Sequence, residues 1–426
     1  MRLWGRSVSA SATEALPSND GLPRLRAIIP VLGVTQILAW GSSYYLLAVL
    51  AKPIAGDTGW PLAWVVGGLS LGLLVAGIVS PRVGDGIQHV GGRLVLAASA
   101  VFLALGLIGL ALSPNLPVYI GAWLVLGIGM GAGLYDAAFA TLGRLYGQRA
   151  RRAIATLTLF GGFASTICWP LSAMLVSEFG WRNACLIYAA IHLAVLLPLY
   201  VYALPKEAKR ETPIAAHAAL QSRGADLTRP VPAGSKLLFA LIALVITISS
   251  MISALLSVHL LTILQARDIA LAAAVALGAI VGPAQVGARA IEMMLSRFHH
   301  PIWTKLASTI FVATGVGLLW AELPIVAAAL VFYGAGIGIE SIARGTLPLA
   351  VFGERHYPII MGRIAMPSLI GQAASPSVGA VLIDGLGANG ALAALFVVAI
   401  ANVLLVGALF ALLARRPVAS SAHSKE

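Results

Sequence analysis

Twelve apolar stretches of 19 to 28 residues follow one another along the chain, and the short polar loops between them carry nearly all of its positive charge. Stretches of this length cover the roughly 30 Å hydrocarbon layer of a bilayer at about 1.5 Å per helical residue. They run over 27–50, 62–80, 94–112, 118–142, 154–176 and 185–204, then over 237–264, 269–288, 303–321, 325–350, 364–383 and 391–413. Backbone groups in lipid must pair within their own segment, and none of these runs shows the two-residue alternation of a barrel strand, so each predicts a helix. With 59% hydrophobic and only 10% charged residues, the chain has too little polar surface to enclose so much apolar surface in water. An all-α polytopic membrane protein is expected.

Lys and Arg set the orientation. Of the 28, 24 fall in the N-terminal segment, the tail and alternate loops, with Arg289, Arg297 and Lys305 counted before the ninth stretch. Arg344 lies near the inner end of the tenth stretch, which leaves Lys52, Arg182 and Arg267 outside. By the positive-inside rule both termini are cytoplasmic, and the expected location is the cell (inner) membrane. The net charge of +12 is spread over many loops and forms no single patch, which argues for anionic lipid and against a nucleic-acid partner. Residues 1–26 contain no apolar core of a cleavable signal peptide, so the first helix is expected to serve as the insertion signal. Two cysteines make no disulfide framework.

One polar interruption is sizeable. Residues 205–236 carry Lys206, Glu207, Lys209, Arg210, Glu211, Arg223, Asp226 and Arg229 among prolines and small residues, the composition of a cytoplasmic linker. It separates two six-helix halves, 27–204 and 237–414, followed by a tail at 415–426. A shift of 205 residues lays Gly129, Gly131, Gly133, Thr141 and Leu142 on Gly334, Gly336, Gly338, Thr346 and Leu347, and a shift of 207 lays Phe179-Gly180 on Leu386-Gly387. Repeated halves of this kind build secondary transporters, whose site lies near the midplane between them.

The chain resembles the major facilitator superfamily over residues 27–414. Gly84, Gln88, His89, Gly91 and Arg93 follow the pattern of that family's loop between helices 2 and 3, with Gln88 where the family carries Asp and Asp85 nearby. These residues, with Asp85, form the expected gating-loop motif. Gly180-Trp181-Arg182 is similar to the family's Gly-Trp-Arg signature, whereas Gly161-Gly162 departs from the Gly-Pro pattern of drug/proton antiporters. Gln285 in the eighth stretch, with Arg289 and Glu292 just past its end, resembles the stripe in the monocarboxylate and oxalate/formate branches, where an Arg is associated with the anionic substrate. The resemblance implies two pseudo-symmetric bundles with helices 1, 4, 7 and 10 around a central pathway.

An ionised side chain in hydrocarbon is costly and is kept where it faces protein or water, which singles out a few positions. Asp136 in the fourth stretch reads either as a proton carrier or as a structural partner for Arg144 or the loop between helices 2 and 3. Glu340 reads as a second proton-coupling candidate or as an internal ion pair with Arg344, one helical turn on. Arg344 and Arg289 are the candidate anion partners, Arg344 ahead because Arg289 lies near the interface and can snorkel. Gln36, Trp40, Tyr44 and Tyr135, with Ser253 and Ser257 on a hydroxyl face of the seventh stretch, are expected to line the cavity or to satisfy helix packing.

No metal, cofactor or enzyme chemistry is expected. Cys168 and Cys185 are offset along the axis by roughly 12 Å, too far to share a ligand, and no Gly-Lys-Ser/Thr nucleotide loop or catalytic triad is present. The expected partners are a small-molecule substrate, a proton and the lipid bilayer, with the oligomeric state open and a monomer sufficient. The resulting reading is a secondary active transporter of a small organic solute, a proton-coupled organic anion such as a monocarboxylate. Efflux of amphipathic or toxic compounds is the alternative, and a non-transporting sensor or assembly protein the rival of another class.

Overall fold

A computed structural model describes residues 25–206 and 233–414; the N-terminal segment, most of the central linker and the tail lie outside the described residues. Those residues are helical throughout, apart from short turns. Eight helical runs are long and apolar enough to cross a membrane, two of them, of 88 and 58 residues, are multiples of a crossing, and a shorter apolar run covers Ala27–Gly41.

The multiples divide at glycine. Gly180 (φ 77°) and Gly387 (φ 72°) adopt a left-handed backbone inside otherwise continuous helix, a conformation that residues with a Cβ rarely take. Divided there, the chain forms α1 (Leu25–Gly41, resumed by Leu47–Thr58), α2 (Leu62–Val90), α3 (Gly92–Ala111) and α4 (Leu116–Gly133, resumed by Tyr135–Tyr146). Next come α5 (150–179, with a break near Phe163), α6 (181–203), α7 (Ala233–Gln265), α8 (Leu271–Ala279, resumed by Val281–Leu295) and α9 (Pro301–Trp320). The last are α10 (Val326–Phe352), α11 (357–386) and α12 (388–414). The Gly-Trp-Arg signature fastens the first of these turns: Trp181 Nε1 donates to Asp57 Oδ2 at 2.9 Å, and Arg182 Nη1 donates to the carbonyls of Ala111 and Ser113.

Close backbone approach shows how the halves correspond. A Cβ on Gly127, Gly129 or Gly131 would strike Gly72, Leu103 or Ala76, and a Cβ on Gly334, Gly336 or Gly338 would strike Val281, Val312 or Gln285. The glycines match pairwise at a shift of 207 residues, the same shift that relates Gly180 to Gly387, and the residues they meet match at a shift of 209. The shift of 205 for α4 and α10 is therefore corrected by two residues. In this register Gly133, not Tyr135, corresponds to Glu340.

The halves are fastened at one end, the one carrying the loops between α2 and α3, α4 and α5, α8 and α9, and α10 and α11. There α2 and α11 meet backbone to backbone: a Cβ on Gly84 would strike the Pro358 carbonyl, and one on Gly362 would strike the Ser80 carbonyl. Gln88 Nε2 donates to the Arg355 carbonyl at 3.0 Å, a bond that the acceptor-only Asp of the family motif could not make. Arg144 donates to the carbonyls of Ile87 and Gln88 at the end of α2, Gln148 N to Glu354, and Arg151 to the His299 carbonyl. Asp85 is exposed and offers its carbonyl to His89, while Gly91 (φ 96°) makes the turn into Arg93 and α3. At the other end, the second part of α1 packs on α2 and α5, and the first part of α8 packs on α7 and α10, each within its own half.

Candidate functional site

Between the halves lies a cavity of about 170 Å³, lined by α1, α2, α4 and α5 on one side and by α7, α8, α10 and α11 on the other. Its construction begins with a break. α4 leaves helical geometry at Leu134 (φ −82°, ψ −167°) and restarts at Tyr135, so a helix N-terminus forms inside the bundle. The break frees the Gly133 carbonyl, and Gln36 Nε2 donates to it at 2.7 Å. Gln36 is thereby spent on the backbone, fully buried, and does not line the cavity.

Asp136 stands in the first turn of the restarted helix, where unpaired N–H groups and the helix dipole favour a negative charge. Its two oxygens accept from Nε and Nη2 of Arg344 on α10, both at 2.8 Å. Two parallel bonds of this kind form the strong bidentate arrangement of guanidinium and carboxylate. The remaining Arg344 contacts go to Ser250 and Ser368. Arg144, the alternative partner for Asp136, is engaged with the end of α2.

Glu340 is paired elsewhere. Lys305 on α9, counted by the sequence as a loop charge, is fully buried inside the helix; its Nζ lies 2.5 Å from Glu340 Oε1 and also donates to Ser249 and the Val245 carbonyl. Ser308 donates to the other Glu340 oxygen at 2.8 Å. The expected pair of Glu340 with Arg344 is thus replaced by two pairs with different partners, because side chains of neighbouring helices reach closer than those one turn apart. In the first half the equivalent places are held by Leu96, Ser99 and Gly133, so the Lys305–Glu340 pair is peculiar to the second.

Arg289 does not snorkel. It is 6% exposed and lines the cavity, donating Nε to the Gly338 carbonyl, Nη1 to the Thr158 carbonyl and Nη2 to Gln285 Oε1, all at 3.1 Å. Room for it is made by α5, since a Cβ on Gly162 would lie 2.5 Å from its Nη1, while Gly161 clears the Tyr135 hydroxyl. Among the described residues no carboxylate forms an ion pair with Arg289. The four charges of the two ion pairs cancel, which leaves its unit positive charge as the net charge of the site. Its helix neighbour Glu292 turns away to Thr304 and His299.

The first half contributes rings. Trp40, Tyr44, Tyr45 and Tyr135 all line the cavity, and Ser249, Ser250, Ser253, Ser341 and Gln372 face them from the second half. Ser257 is not part of the lining. Tyr45 and Lys305 are absent from the sequence-derived candidates, Lys305 because it stands near the start of its stretch. Among the described residues no cluster of His, Cys, Asp or Glu could hold a metal ion.

A helical bundle in two matching halves, with charged pairs around a central cavity, invites comparison with known proteins. A sequence profile for the Major Facilitator Superfamily matches residues 32–338. The chain belongs to the major facilitator superfamily. Membership places it among membrane transporters rather than enzymes. Human monocarboxylate transporter 11 is 32% identical over 170 residues, which is 38% of this chain and 34% of that protein. An uncharacterised 38 kDa protein in the 23S RNA operon of Thermoproteus tenax is 32% identical over 164 residues, 38% of this chain and 43% of that protein. The matched region thus spans about a third of the human transporter. The superfamily fold is equally plain in solved structures. The human organic anion transporter MFSD10 (TETRAN) superposes with a TM-score of 0.71 at 16% identity, covering 90% of this chain and 100% of that one. The superfamily transporter FucP, in its outward conformation, gives 0.67 at 15% identity, covering 91% and 99%. At such identities the likeness is one of fold.

Proposed function

We propose that this chain is a secondary active transporter that moves a small organic anion, a monocarboxylate, together with a proton by alternating access between its two halves. The carrying observation is Arg289: a buried cation in the cavity wall with no carboxylate partner among the described residues. A buried charge without a counter-ion is costly, and a bound carboxylate offsets that cost. Three of the five guanidinium N–H groups are used on protein oxygens, leaving one on each terminal nitrogen for a ligand. Arg344, favoured by the sequence, has its fork filled by Asp136, so we assign the anion to Arg289. The likeness to human monocarboxylate transporter 11, 32% identical over 170 residues, supports the same solute class.

Proton coupling falls to Asp136 in this reading. Its partner Arg344 belongs to the other half, so a change in the relative placement of the halves alters the pair, and protonation releases it. Lys305 and Glu340 share one half and move together, which suits a permanent pair. In this reading the termini face the cytoplasm from the cell (inner) membrane, and the joined end of the halves is the cytoplasmic one.

Purified protein in proteoliposomes tests the proposal. An inwardly directed proton gradient, acid outside, is expected to drive accumulation of a labelled monocarboxylate, and Arg289→Gln to abolish its binding. Undiminished anion binding in Arg289→Gln together with accumulation of neutral or cationic amphiphiles would favour the efflux reading.

A further inference from the structure

The aromatic wall has a use that the charged groups do not exhaust. Trp40 sits at its centre, with ring centroids 5.2 Å from Tyr44, 5.0 Å from Tyr135 and 6.0 Å from Tyr45. Each ring is held in turn: Tyr135 stacks on Phe139 at 5.1 Å and 11°, Tyr44 meets Tyr45 edge-on at 89°, and the Trp40 indole donates to Gln36 Oε1 at 3.3 Å. Because Gln36 is itself fixed on the Gly133 carbonyl, the break in α4 indirectly sets the angle of the Trp40 ring. These are preorganised aromatic faces and edges, placed opposite a wall of hydroxyls and Arg289.

Two hydroxyls remain. Tyr44 and Tyr45 line the cavity, and among the described residues neither phenol has a hydrogen-bond partner. The Tyr135 hydroxyl and Arg289 Nη1 both donate to the Thr158 carbonyl, at 3.4 and 3.1 Å, so an oxyanion held by Arg289 lies within the same polar corner. The cavity of about 170 Å³ is small beside the roughly 300–1,000 Å³ of drug-sized sites, and cavities of about 150 Å³ accept benzene.

From these observations we infer that the solute is an aromatic monocarboxylate with a single ring, its ring packed against Trp40, Tyr44 and Tyr135 and its carboxylate on Arg289. The inference rests on the anion reading given under Proposed function and narrows it. Such a ligand touches the first half with its ring and the second with its charge, so it bridges the two. A short aliphatic acid engages Arg289 and leaves the rings unfilled. Favourable ring pairs add roughly two- to tenfold in affinity beyond burial of the same area.

Calorimetric titration of the full chain in detergent tests this with benzoate, cyclohexanecarboxylate, lactate and benzyl alcohol. Benzoate is expected to bind tightest, cyclohexanecarboxylate at least threefold more weakly, lactate more than tenfold more weakly, and benzyl alcohol not at all. Trp40→Leu is expected to equalise benzoate and cyclohexanecarboxylate while leaving lactate unchanged, and Arg289→Gln to weaken all three acids. Lactate or cyclohexanecarboxylate binding as tightly as benzoate in the parent overturns the ring assignment while leaving the anion reading intact; this comparison needs no variant to fold. Binding of benzyl alcohol as tight as that of benzoate, unaffected by Arg289→Gln, overturns both, as does the absence of binding by every acid.

Discussion

Arg344 of α10 holds both carboxylate oxygens of Asp136 on α4 at 2.8 Å, joining the two halves of the bundle at the wall of the central cavity. The side chains are 13% and 15% exposed, so the pair is shielded from bulk water yet reachable from the cavity. In the proposed cycle this pair is the latch across the moving interface, and a proton on Asp136 is expected to unfasten it.

Replacing Asp136 by Asn keeps the shape and removes titration. Accumulation of substrate driven by a pH gradient is expected to fall at least tenfold, while exchange of labelled for unlabelled substrate across the membrane continues. Flux assays in both modes on the same proteoliposomes make the comparison.

Lys305 and Glu340 are expected to behave as a structural pair. Lys305→Met leaves the Glu340 carboxylate without its cation and is expected to cost about 3–5 kcal/mol, whereas the double change Lys305→Met with Glu340→Met recovers much of that loss. Thermal unfolding of the two variants in detergent reads the difference. Glu340→Gln is expected to lower stability and to leave gradient-driven accumulation in the surviving folded protein.

The crossings and the glycine turn at Gly180 could be read from sequence because lipid forces every segment to satisfy its own backbone, and a Gly-Trp-Arg run stands out among apolar residues. The register of α4 on α10 could not. Glycines at every second position, 127 to 133 in one helix and 334 to 338 in the other, match almost as well when slid by two, and the residues that approach them from the facing helices, such as Leu103 and Val312, distinguish the registers. Asp136, Glu340, Arg344 and Arg289 were identifiable as ionisable groups in an apolar setting, but their partners come from helices remote in sequence. Lys305 lay hidden by its place near the start of a stretch, where a charge reads as a loop residue.

A side chain at Gly162 is expected to move Arg289. A methyl there would lie 2.5 Å from Arg289 Nη1 and displace the guanidinium, so Gly162→Ala is expected to weaken monocarboxylate binding about tenfold, or about 1.4 kcal/mol. Gly282, where a methyl would meet nothing within 4 Å, serves as the control: Gly282→Ala is expected to bind like the parent.

Contact between α2 and α11 depends on the paired glycines Gly84 and Gly362. Gly84→Val pushes the Pro358 carbonyl away and is expected to favour the state open at this end. Labelling of a cysteine introduced at Ser341, read from the side of the basic loops, is expected to rise severalfold; unchanged labelling would show that the contact does not govern closure.

Topology has its own test. Reporter fusions at Arg223 and at the C-terminus are expected to read cytoplasmic and a fusion after Asp57 periplasmic, because the basic loops stay on the side of synthesis. A cytoplasmic signal after Asp57 would invert the assignment.

The restart of α4 at Tyr135 makes a twelve-residue rod with Asp136 at its head and Arg144 two turns further on, roughly 12 Å away. Its head is tied to α10 through Arg344, and its foot to the end of α2 through the Ile87 and Gln88 carbonyls. A rod this short does not bend appreciably, so whatever displaces its head also pulls at its foot. In the proposed cycle the discontinuity at Leu134 is a lever, with the chemistry of the cavity at one arm and the closure of the membrane face at the other.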